Sequence, residues 1–316
     1  MVYSQSVDRA ALLGGITDLL VEWGAGERDA VEKLVSERLA DAHAAELAAF
    51  GERVATTGQT WGYHPPDPIC RRLSRLVHEL LLLPGSGLEP SDALSQARHQ
   101  PVFFIANHLS YIDANSIDAL LVGAGYADVA DELTVLAGPK VFALPIRRLA
   151  SLCFGAIKMP QSQSTASGEA VMPRREVARL AMETLVTVEE RRVKGDHLLV
   201  FVEGTRSRTA AMQRVLPAAA RYFETPGTKI VPLGLWGTEN LMRVETDRVS
   251  PSEVHVRVGR VIDAAELFAR AGGKRPVVAD ALGYLIADLL PPAYRGEYAS
   301  DETGPAARSA ASSFNA

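Results

Sequence analysis

The sequence predicts an α/β fold, a mainly parallel or mixed sheet flanked by helices, preceded by a small all-helical N-terminal domain. Three observations predict it. Short apolar runs recur between residues 95 and 296, helical patterns separate them, and residues 7–83 show helical spacing without such runs.

The early segment reads as amphipathic helices. Val31, Leu34, Val35, Leu39 and Ala42 keep helical spacing, as do Ile69, Leu73, Leu76, Val77 and Leu80. Gly58, Gly62, Pro65, Pro66 and Pro68 mark a loop between them, and Pro84-Gly-Ser-Gly with Glu89-Pro-Ser reads as a linker. These cues divide the chain into a helical domain at 1–94, an α/β domain at 95–296 and a small-residue, unpatterned tail at 297–316 expected to be disordered. Apolar runs at 101–106, 133–137, 198–202 and 229–235 read as buried strands, and 254–261 alternates like a half-exposed one. The clearest helix runs from 173 to 193, with Pro173 in its first turn and Val177, Leu180, Ala181, Thr184, Leu185 and Val188 on one face.

Composition narrows the function classes. The chain has 316 residues, 47% hydrophobic and 22% charged, with a formal net charge of −5, which argues against a broad polyanion-binding surface but permits a local basic pocket. Cys70 and Cys153 lie in apolar patterns and read as reduced core thiols; no cysteine–histidine spacing suggests a metal site. No apolar run approaches the roughly 18 residues of a spanning helix. The N-terminus lacks a basic flank followed by an apolar stretch, so the expected location is cytoplasmic, with any membrane contact peripheral, on the inner face.

Two strings carry the chemistry. Asn107-His-Leu-Ser-Tyr-Ile-Asp113 follows the first apolar run, which puts His108 at the carboxyl end of a strand, where ligand sites of open α/β sheets lie. On one continuous helix, His108 and Asp113 would be rotated apart by about 140°. On a turn before a helix capped by Ser110, the imidazole can fold back onto the carboxylate. A neutral histidine so oriented takes a proton from an attacking alcohol, with the substrate supplying the hydroxyl that a serine hydrolase supplies itself. Glu203-Gly-Thr-Arg-Ser-Arg208 follows another strand and should emerge at the same edge. Gly204 permits a tight turn, Arg206 and Arg208 point the same way in an extended loop and suit bidentate phosphate binding, and Thr205 and Ser207 add hydroxyl donors. Glu203 braces the loop, because a carboxylate beside a phosphate would repel it. A base and an anion fork at one edge suggest acyl transfer to a phosphate-bearing alcohol.

Together the strings resemble those of the glycerolipid acyltransferases, which include glycerol-3-phosphate and 1-acylglycerol-3-phosphate acyltransferases. Asn107, His108 and Asp113 match the first block of that family, Glu203 to Arg208 match the third at every position, and Ile230-Val-Pro-Leu-Gly234 looks like the last. The resemblance covers residues 95–265. It implies His108 as general base, Asp113 as its orienting partner, Arg206 and Arg208 as phosphate ligands, and Asn107 with Glu203 as structural support. It also implies a thioester of coenzyme A or acyl carrier protein as co-substrate, with no bound cofactor and no nucleic acid. The acceptor would be glycerol phosphate or a lysophospholipid. The second block departs from the family: Lys140, Pro145 and Gly155 lead to Ile157-Lys-Met-Pro-Gln161, which puts Lys158 where a basic substrate ligand is expected. Beyond Arg208, Arg214-Val-Leu-Pro217 stands where a lysine-glycine pair is common. The helical N-terminal segment resembles soluble plastid glycerol-3-phosphate acyltransferases, whereas the Glu-Gly-Thr loop looks more like the lysophosphatidate enzymes.

Other readings compete. A different lysolipid could be the acceptor. Thioester hydrolysis is another, although no Gly-x-Ser-x-Gly elbow is present. A peripheral lipid-binding module is a third, in which the apolar stretch 142–160 with Arg147, Arg148 and Lys158 would lie on an anionic membrane.

Overall fold

A computed structural model describes residues 8–161, 172–243 and 246–314. Their centre is a sheet of nine strands: β1 (Gly62–His64), β2 (Gly87–Glu89), β3 (Phe103–Ala106), β4 (Leu133–Ala137), β5 (Gly155–Lys158), β6 (His197–Phe201), β7 (Lys229–Trp236), β8 (His255–Val258) and β9 (Ile262–Asp263). The order across it is β1-β5-β4-β6-β3-β7-β8-β2, with β9 pairing the start of β7. The five strands from β5 to β7 run parallel, whereas β1 and β8 join antiparallel.

The parallel strands read as unbroken apolar runs because helices cover both faces. All four residues of β3 are buried, and they alternate between two cores. Phe104 and Ala106 enter the core with the N-terminal helices; Phe103 and Ile105 enter the core with the C-terminal ones. On β8 only Val256 and Val258 are buried, as the alternating sequence requires.

The N-terminal helices are present and pack onto one face of the sheet. The helices Arg9–Glu22, Arg28–Leu39, Ala44–Thr56 and Pro68–Leu81 share one continuous core with the sheet and with the helix Asp113–Gly123. Arg75 clamps the buried carboxylate of Asp118 through two 2.9 Å bonds across that seam. Two strands from this segment and its linker, β1 and β2, close the sheet at its two edges. At three residues each, they are too short to show a period.

The tail also differs from expectation. The helix Pro305–Ser312 buries Ala307, Ala310 and Ala311 against the helix Arg275–Ala287. Its apolar face consists of alanines at helical spacing, so close packing looks like low complexity in the sequence. Pro173 stands at the N-cap of the helix Arg174–Val193, one residue before the expected start. No helix among the described residues is long and apolar enough to cross a membrane.

Candidate active site

The carboxyl ends of β3, β6 and β7 bring the two motifs together. Asn107 extends the β3–β7 ladder by one step with its side chain: Nδ2 donates to the Leu235 carbonyl at 2.8 Å, and Oδ1 accepts the Leu235 N–H at 2.9 Å. The chain can therefore leave the sheet at His108 without stranding a buried backbone group. The helix begins at Asp113, whose fully buried carboxylate turns back over the 108–112 turn. Its Oδ2 accepts the Leu109 and Ser110 N–H groups at 2.7 and 3.0 Å, and His108 Nδ1 lies 2.8 Å from the same oxygen. That contact fixes the tautomer with the proton on Nδ1 and leaves Nε2 as the basic nitrogen. Phe201, at the end of β6, stacks on the imidazole with ring centroids 4.3 Å apart. Ser110 is not the helix cap; its hydroxyl donates to the Met242 carbonyl at 2.6 Å.

Glu203 joins the two motifs. Its Oε1 accepts the His108 N–H at 2.8 Å, and its Oε2 accepts the Gln213 N–H at 2.7 Å. Burial pushes its carboxyl up to about 7, against the pull of those two amide donors. The His108 carbonyl accepts the Ser207 N–H at 2.7 Å, so the loops are tied in both directions. Ser207 is buried and donates its hydroxyl to the Ala211 carbonyl at 2.7 Å. It shapes the loop, and its hydroxyl is not offered to a substrate phosphate as the sequence suggests. Gly204 takes φ of +69° with Leu216 packed where a side chain would go, a conformation suited to glycine.

Gly204, Thr205, Arg206, Arg208 and His108 all line one cavity of about 350 Å³. Arg206 is half-buried with its guanidinium 3.5 Å from the Tyr111 ring centroid, while Arg208 is exposed. Burial and the neighbouring Arg147 lower the Arg206 pKa, which favours an anionic ligand there. Arg147 also lies over Tyr111, at 4.2 Å, and is bound at Nε by Asp247 at 2.7 Å. Sequence reasoning missed Tyr111 as a platform for Arg206 and Arg147 as a second cation. The first lies inside the histidine motif; the second has its partner a hundred positions away, with no local signal.

Lys158 is not brought to this site. Its ammonium donates to the Gly58 carbonyl and sits 4.6 Å from the Trp61 ring centroid, and burial lowers its pKa. It lies at the end of β5, beside the edge strand β1, and the N-terminal loop claims it. Lys140 does line the cavity. Away from the charged end the lining is apolar, with Ile16 and Leu19 from the first helix, Trp23 just past its end, and Leu73 and Val77 from the helix Pro68–Leu81. Among the described residues no group of three or more His, Cys, Asp and Glu could hold a metal ion.

The sequence matches the Acyltransferase family over residues 89–236, a span that contains every one of these motif residues. This segment is an acyltransferase domain. No curated protein matches it by sequence. Among solved structures, a 1-acyl-sn-glycerophosphate (LPA) acyltransferase from Thermotoga maritima is similar at 13% identity and a TM-score of 0.46, covering 89% of this chain and 97% of its own. The acyltransferase segment ends at Trp236, so the first helix that lines the cavity and all residues beyond β7 lie outside it.

Proposed function

We propose that this acyltransferase moves a fatty acyl group from a thioester of coenzyme A or acyl carrier protein to the hydroxyl of a phosphate-bearing glycerol, 1-acylglycerol-3-phosphate or glycerol-3-phosphate. The observation that carries the reading is the shared cavity: His108 and the two arginines of the 203–208 loop line the same space. In this mechanism His108 Nε2 takes the acceptor's hydroxyl proton as its oxygen attacks the thioester carbonyl. Asp113 holds the imidazole and stabilises the imidazolium. The tetrahedral intermediate collapses, the C–S bond breaks, and the proton returns to the departing sulfur. Products are the new ester and a free thiol, with no covalent enzyme intermediate. Arg206 and Arg208 hold the acceptor phosphate, and the apolar limb under the first helix accepts an acyl chain. Exposed Leu144, flanked by Lys140 and Arg148, supports peripheral contact with an anionic membrane surface, from which lipid substrates would enter.

Incubating the purified protein with acyl-CoA and each acceptor in turn, while following free thiol, tests the reading. Thiol release that depends on a phosphoglycerol acceptor is expected. Release at the same rate with water alone would instead make the protein a thioesterase.

A further inference from the structure

The loop that follows the arginine motif is gripped from two sides. On one side Glu203 accepts the Gln213 N–H, and its other oxygen accepts the His108 N–H. On the other side lies a strap at 294–298, well beyond the segment that matches the acyltransferase family. The Met212 N–H donates to the Tyr294 carbonyl at 2.9 Å, and the Met212 carbonyl accepts the Glu297 N–H at 3.0 Å. The Val215 N–H donates to the Tyr298 hydroxyl at 2.9 Å, and that hydroxyl donates to Asp280 at 3.1 Å. Tyr294 itself is anchored by its hydroxyl to Glu239, 2.6 Å away.

The contact between strap and loop is close-packed as well as hydrogen-bonded. Gly296 takes φ of +50°, and a side-chain carbon there would collide with the Met212 carbonyl oxygen. Gly283, in the helix Arg275–Ala287, leaves the space that the Tyr298 ring fills. Met212 and Val215 are almost wholly buried beneath the strap. None of the strap residues lines the cavity.

We infer that residues 294–298 are positioning residues for the acyl-transfer step, acting on His108 through Met212, Gln213 and Glu203 without touching substrate. Both backbone groups of Met212 are bonded to the strap, so the direction of the next amide, Gln213 N–H, is fixed. That amide holds one oxygen of Glu203, and the other oxygen holds the His108 backbone. Freedom introduced at the strap therefore reaches the turn that carries the base. The inference rests on His108 being the general base, but its structural half does not.

Two variants test it, Gly296→Ala, which forces the strap off Met212, and Tyr298→Phe, which removes the hydroxyl while keeping the ring. Steady-state kinetics on acyl-CoA and lysophosphatidate should show kcat lowered about tenfold to a hundredfold, the scale of a small misplacement at a reacting centre. The acceptor KM should stay within about twofold, because the cavity lining is untouched. Amide hydrogen exchange should rise in peptides spanning 107–113 as well as in those spanning 209–216. A strap that merely stabilises the fold would lower the unfolding temperature but leave kcat and the 107–113 exchange unchanged, which overturns the inference. If Gly296→Ala does not fold, Tyr298→Phe decides alone. If His108→Ala keeps wild-type turnover while both strap variants speed 107–113 exchange, the general-base reading fails and the structural coupling survives.

Discussion

The two halves of the site are held in opposite ways. His108 is fixed at every handle: its amide by Glu203, its carbonyl by Ser207, its ring by Asp113 and Phe201. Asp113 beneath it is fully buried, and one of its oxygens accepts two backbone amides. Across the cavity the arginine loop exposes Gly204, Thr205 and Arg208, and Arg206 leans on the face of an aromatic ring. A proton transfer needs atoms held to within fractions of an ångström, whereas a phosphate seat works with long, charged side chains that adjust around the ligand. On the proposed roles, the backbone and ring of the base are held by hydrogen bonds and stacking, while the exposed Arg208 is left to adjust around an anion.

That contrast can be broken from either side. The largest effect should come from the fixed half. His108→Ala removes the base and should lower kcat by about 10²- to 10⁴-fold with the protein still folded by circular dichroism. Retention of most activity would place the chemistry elsewhere. Next is Glu203→Gln. Burial raises the folded carboxyl from 4.5 to about 7, so between those values the native state binds a proton that the unfolded chain releases. Wild-type stability should therefore fall, relative to the glutamine variant, by up to about 3 kcal/mol as pH rises from 5 to 8. Chemical denaturation of both proteins at the two pH values measures it, and a pH-independent difference would show that Glu203 does not titrate there.

Effects on the adaptable half should be smaller. Tyr111→Leu removes the platform under Arg206, and loss of a partly desolvated cation–π contact corresponds to about a threefold to thirtyfold rise in acceptor KM. A fall in kcat alone would mean that the ring serves the base instead. Lys158→Ala marks the floor: activity should stay within about twofold, with a stability loss of about 0.5–1 kcal/mol from the lost contact with Trp61. A tenfold loss of turnover would return Lys158 to the substrate site.

Much of this arrangement was legible in the sequence because it rests on local signals. The runs ending at Ala106 and Val202 are long and apolar enough to read as buried strands, so the positions of His108 and Glu203 just past strand ends follow directly. What was not legible depends on contacts distant in sequence or on small residues. The strands Gly62–His64 and Gly87–Glu89 lie among glycines and prolines that read as loop and linker, which hides the two edges of the sheet. The alanine face of Pro305–Ser312 carries too little hydrophobicity to register, although close packing against the helix Arg275–Ala287 makes it core. Lys158 occupies a position where the sequence block invites a ligand, yet its fate is decided by the Gly58 carbonyl, a hundred residues upstream. Arg147 reads as one cation of the apolar stretch 142–160; its contacts with Asp247 and Tyr111 are what place it beside Arg206.

The central claim is that the base and the arginine fork act on one acceptor molecule. The most direct measurement is the selectivity ratio of kcat/KM for lysophosphatidate over a phosphate-free monoacylglycerol, in the wild type and in Arg206→Ala. A charged hydrogen bond worth about 1.5–3 kcal/mol predicts that the ratio collapses by about 10- to 150-fold, through loss on the phosphorylated acceptor alone. An unchanged ratio, with both acceptors slowed equally or neither slowed, would contradict the account.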